Sequence, residues 1–101
     1  MEGRSCAIVK NMNRWMIIFK ALSNINRLKI VVLLSGEREM NVGNIAAKLN
    51  ISFTATSNHL VILQKLDVLG MEGKAGHVFY FLNRNMPKDF AKALKLFCDA
   101  L

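Results

Sequence analysis

Thr54, Ser57, Asn58 and Lys65 fall on one side of the helical stretch predicted by the spacing of Ala55, His59, Leu60, Leu63 and Leu66. Three of the four are short side chains that both donate and accept hydrogen bonds, and the fourth is a cation. Such a set suits base edges and phosphates in a DNA major groove. The alternative is ordinary solvated helix surface. Catalysis finds no comparable set. The chain has two histidines, no carboxylate dyad at working spacing, no Cys-His pair and no glycine-rich phosphate loop, which argues against an enzyme. Nothing calls for a cofactor, and the six Met read as irregular core filler.

The polar face needs elements that hold it out. Upstream, Ile45, Ala46 and Leu49 share one face of a shorter helix. Asn50 can take the left-handed conformation that ends it. Ser52 can then cap the next helix by accepting from an early backbone N–H. Residues 42–66 therefore have the proportions of a helix-turn-helix, whose second helix enters the major groove. Before it, the stripe Trp15, Ile18, Phe19 and Leu22 predicts a first helix from about Val9 to Leu22. A second runs from Ile25 or Asn26 to Ser35 and is stopped by Gly36. Ile30 to Leu34 make that second helix apolar nearly all round, so it should be the buried central one. After Asp67 the pattern changes to two strands, Val68 to Glu72 and His77 to Leu82, around the turn Gly73-Lys74-Ala75-Gly76. This is a two-stranded wing over about 68–82, which must pack on the helices. Pro87 suits the first turn of a last helix, about 87–100, with Phe90, Leu94, Phe97 and Leu101 recurring along it.

At 101 residues the chain reads as one mainly α domain, with about five helices and a β wing. It is 52% hydrophobic, more than a monomer this small readily hides, so a homodimer is expected. The net charge is +7, which favours a polyanionic partner, nucleic acid ahead of membrane. From Met40 to Leu66 there are two Lys and no acid, while much of the remaining basic charge lies near the ends. No apolar run approaches membrane-spanning length and no signal peptide is visible. Cys6 and Cys98, far apart, fit a reducing cytosol better than a disulfide-stapled domain, so a cytoplasmic location is expected.

These residues in this order resemble the ArsR/SmtB repressors. Phe19-Lys-Ala-Leu-Ser-Asn-Ile-Asn-Arg-Leu-Lys-Ile resembles their opening signature. Ile51-Ser-Phe-Thr-Ala-Thr-Ser-Asn-His-Leu resembles their recognition helix, and Gly73 to Leu82 their wing. The similarity runs from about Trp15 to the end. It implies a winged-helix homodimer, paired through its first and last helices, that represses from an inverted-repeat operator on double-stranded DNA. It also implies release when an effector binds or a thiol is oxidised; the effector is not named by the sequence. The family's metal sites do not carry over. Asn41-Val42-Gly43 stands where one class has its Cys-x-Cys pair, and the last helix offers Asp89, Asp99 and Cys98 but no His. In a dithiol class that Val42-Gly-Asn-Ile resembles, one switch cysteine matches Cys98. Its partner would fall at or near Val32, so Cys6 is the variant candidate and two free thiols are the alternative.

By this reading Thr54, Ser57 and Asn58 are the base-edge candidates, and Ser52, His59 and Lys65 the phosphate candidates. Phe53 stands where the resembled family usually has Gln; it either meets a thymine methyl or packs. Arg27 corresponds to a family phosphate contact, with a surface ion pair as the alternative. Lys74 and His77 lie at the wing tip, where family members touch the minor groove or backbone. The competing functions are a winged-helix module that binds protein and a metal-sensing repressor with a non-standard site.

Overall fold

Three of the helices start where a short polar side chain satisfies their first backbone donors. The computed structural model describes residues 5–101, with side chains from residue 11 onward, so the Cys6 thiol lies outside the described residues. The order is α1 (Ser5–Leu22), α2 (Ile25–Gly36), β1 (Met40–Asn41), α3 (Val42–Leu49), α4 (Phe53–Lys65), β2 (Leu69–Lys74), β3 (His77–Leu82) and α5 (Lys88–Ala100). Asn24 caps α2, its Oδ1 accepting from the backbone N–H groups of Asn26 and Arg27 at 3.0 and 3.3 Å. Asn41 caps α3 by accepting from Asn44 at 2.7 Å. Asn50 does take the left-handed conformation, φ 55° and ψ 46°, and Ile51 N–H folds back onto the Ala46 carbonyl. Ser52 then caps α4, accepting from Ala55 N–H at 3.0 Å.

The core is built by the inner faces of all five helices and the sheet. Ile30, Val31 and Leu34 of α2 meet Ile18 and Ala21 of α1, Ile45 of α3, Leu60 and Leu63 of α4, and Phe90 and Leu94 of α5. The expectation of an all-round buried α2 needs correcting. Val32 is exposed and Leu33 half-buried, because an α-helix packed from one side still turns every third or fourth residue outward. Among the described residues one polar side chain is fully buried. Thr56 is 0% exposed, and its hydroxyl donates to the Ser52 carbonyl at 2.9 Å, which removes the desolvation cost.

The wing has three strands, not the expected two. They run in the order β1-β3-β2, all antiparallel, with Met40 opposite Tyr80 and Asn41 opposite Phe79. A two-residue strand is too short to show alternation, so periodicity could not reveal it. The hairpin turn is also tighter than expected. β2 continues to Lys74, which pairs with His77, and only Ala75 and Gly76 connect the strands, both at positive φ. That is the backbone of a two-residue hairpin whose twist matches the strands. Pro87 lies just before α5 rather than in its first turn.

α5 is fastened to α1 by a forked ion pair. Arg14 Nε donates to Asp89 Oδ2 at 2.7 Å and Nη2 to Oδ1 at 3.2 Å, with the guanidinium 5.3 Å from the Phe90 ring centre. That hydrogen bond holds the Asp89 carboxyl below its ordinary range. Among the described residues no helix is long and apolar enough to cross a membrane.

Phe90→Ala should lower stability by about 3–5 kcal/mol, because it empties a fully buried aromatic site. Ser52→Ala should cost about 1 kcal/mol, the worth of a lost helix cap. Urea unfolding of both variants beside wild type checks the ranking; equal losses would contradict this account of the core.

Candidate nucleic-acid interface

The α3–α4 corner decides which residues of α4 face outward. Thr56, Leu60 and Leu63 turn into the core, so Thr54, Asn58 and Lys65 are left exposed on the opposite side. Ser57 is half-buried beside them, and Phe53 opens the helix fully outward. Ser52 is exposed but its hydroxyl already accepts the capping N–H. The four candidates read from helical spacing thus share one side of the molecule, with Ser57 the least accessible. That side carries no carboxylate from Met40 to Leu66.

Arg27 is placed differently from a free phosphate contact. Its guanidinium turns inward. Nε donates to the Ala21 carbonyl at 2.6 Å and Nη2 to the Lys20 carbonyl at 3.4 Å, both at the end of α1. Nη1 lies 3.4 Å from Nδ1 of His59 on α4. Arginine can only donate, so Nδ1 must present its lone pair and the imidazole proton sits on Nε2. Burial first, and the Arg27 charge second, hold His59 below the ordinary histidine range. At neutral pH it is therefore an uncharged, half-buried acceptor that orients α4.

Lys74 and His77 flank the wing turn as expected, and both are exposed. Lys74 is not free. Its Nζ lies 2.7 Å from Glu39 and 3.9 Å from Glu72, and sits 5.7 Å from the Phe79 ring centre. The Glu39 pair ties the wing to the segment before α3. It spans 35 residues, and nothing local in the sequence signals it. His77 stacks edge-on to Phe79 at 6.5 Å.

Cys98 is half-buried and packs against the core from α5. Among the described residues no three His, Cys, Asp or Glu side chains converge to hold a metal ion. The flank formed by α1 and α5 is apolar and open. Met12, Met16 and Phe19 are each 62–64% exposed, and Leu96 on α5 and Leu101 just past its end are exposed too. Of the expected α1 stripe, only Ile18 is fully buried; Phe19 points outward beside Trp15, ring centres 5.6 Å apart.

Residues 24–69 match the family model described as bacterial regulatory protein, arsR family. The transcriptional repressor SdpR of Bacillus subtilis is 39% identical over 72 residues, which cover 71% of this chain and 79% of SdpR. The transcriptional activator HlyU of Vibrio cholerae is 32% identical over 92 residues, covering 90% of this chain and 84% of HlyU. A homodimeric winged helix-turn-helix DNA-binding domain from Mycobacterium bovis superposes with a TM-score of 0.73 at 23% identity. The match covers 91% of this chain and 82% of that domain, and at this identity it speaks for the fold alone.

The His59 geometry gives a pH prediction. The folded value is depressed, so the unfolded chain binds the extra proton first. Stability is then fully present above about pH 6.5 and is lost as pH falls toward the folded value. Melting temperatures of wild type and His59→Gln should run parallel above that point and diverge below it. Parallel curves down to pH 5 would assign the acid response elsewhere.

Proposed function

The chain belongs to the arsR family of bacterial regulatory proteins, and on that premise we propose that it is a homodimeric repressor binding an inverted-repeat operator. The observation that carries this reading is the outer side of α4. Thr54, Asn58 and Lys65 are exposed together there, Ser57 lies beside them, and no acid intervenes. Thr54, Ser57 and Asn58 hydrogen-bond base edges, and Ser52 and Lys65 meet phosphates. Lys74 and His77 bring the wing tip to the backbone or minor groove on the same duplex. Arg27 and His59 contribute mainly by fixing α4, since the Arg27 guanidinium is engaged with α1 and with Nδ1 of His59.

Dimerisation uses the apolar flank of α1 and α5. Support comes from Met12, Met16, Phe19 and Leu96, which a monomer leaves in water. The Cα radius of gyration, 15.1 Å, also exceeds the ~13 Å of a compact chain of this length. Pairing through that flank sets two copies of α4 about 34 Å apart, one turn of B-DNA. SdpR is a repressor and HlyU an activator. Where the operator lies relative to the promoter decides between the two outcomes.

Duplexes enriched from a random library should contain an inverted repeat, bound with an affinity that falls steeply with salt. Asn58→Ala should lose about 1–3 kcal/mol on that repeat and relax its sequence. Lys65→Ala should weaken every duplex alike and reduce the salt slope by about 1. Enrichment of no sequence, or salt-insensitive binding, would sink the DNA-binding reading and favour a protein-binding module.

Sedimentation at micromolar concentration should give a dimer, and Phe19→Glu should give a monomer by placing a charge in the paired face. A monomeric wild type would overturn the assembly.

A further inference from the structure

All but one of the exposed side chains in the first turn and a half of α4 are polar. Phe53 is the first residue of the helix and is 62% exposed. The local fold does not need its ring. Ser52 already supplies the cap, Ile51 closes the turn onto Ala46, and Phe53 is not among the residues packed on the core. Nor does it belong to an apolar patch there: exposed Ser52 and Thr54 flank it along the chain, and the half-buried Ser57 lies one turn on. It is a single apolar point set among hydrogen-bonding groups.

The N-terminal residues of the second helix in a helix-turn-helix come nearest the base edges. A phenyl ring has no donor or acceptor. Against the major-groove edges of guanine, cytosine or adenine it would strip water from polar atoms and return no hydrogen bond. The C5-methyl of thymine is the one apolar feature on that surface. We propose that Phe53 is a specificity residue that reads one thymine methyl in each half-site. This rests on the DNA-binding reading above and adds a position that hydrogen-bonding side chains cannot supply.

The test replaces thymine by uracil, which deletes the methyl and keeps base pairing and the O4 acceptor. A library-selected inverted repeat is scanned one thymine at a time, with wild type and Phe53→Ala. Wild type should lose about fourfold at one thymine per half-site, the worth of one methyl removed from contact. Phe53→Ala should bind the unsubstituted duplex more weakly and be indifferent to uracil at that position. A flat scan for wild type, or the same profile for both proteins, overturns the assignment; the wild-type scan holds whether or not the variant folds well. Enrichment of no repeat at all would instead be the failure of the DNA-binding reading, and this assignment would fall with it. A repeat that Asn58→Ala relaxes while the uracil scan stays flat would remove Phe53 alone.

Discussion

One guanidinium relates the end of α1, the start of α2 and the middle of α4. The last carbonyls of any helix lack partners within it, and α1 ends with Lys20 and Ala21 in that condition. Arg27, from the first turn of α2, reaches back to both, and its third arm meets His59 on α4. The positive charge also sits where the dipole of α1 favours it. The apolar flank and the polar reading side are thereby joined at one residue. A shift of α1 in a dimer would be felt at His59 through a rigid, planar group, whereas a lysine there would transmit little.

The core explains why two surfaces are left over. Its buried residues come from one face of each helix, and five short helices around one small sheet cannot bury both faces of any of them. What remains outward divides by chemistry. α1 and α5 expose Met, Phe and Leu, while the start of α4 exposes Thr and Asn beside the single ring of Phe53. Val32 belongs to neither class by sequence, and its exposure follows from the turn of α2 alone.

Much of this was legible from periodicity and punctuation. The α3–α4 corner was readable because Asn50 and Ser52 have few other uses between two apolar repeats, and both take the expected conformations. The side of α4 that faces out follows from Leu60 and Leu63. Three things were hidden. β1 is two residues long and its partner lies about forty residues away, so no local pattern marks it. The direction of Arg27 depends on a long flexible side chain choosing between solvent and two orphan carbonyls. Thr56 reads as polar surface, yet its hydroxyl returns to the carbonyl four residues back, a bond that sequence permits but does not demand.

Asn41 holds two positions at once. Its backbone ends β1 opposite Phe79 of the wing, and its side chain opens α3. No linker separates the sheet from the helix pair, and the Glu39–Lys74 pair braces the same junction. The wing and α4 are consequently joined through one short, capped segment. Where the wing tip and α4 both meet one duplex, as proposed above, the width of the groove between them becomes a quantity the protein measures. Stiff, narrow A-tracts and pliable pyrimidine–purine steps would then be told apart at positions no side chain touches.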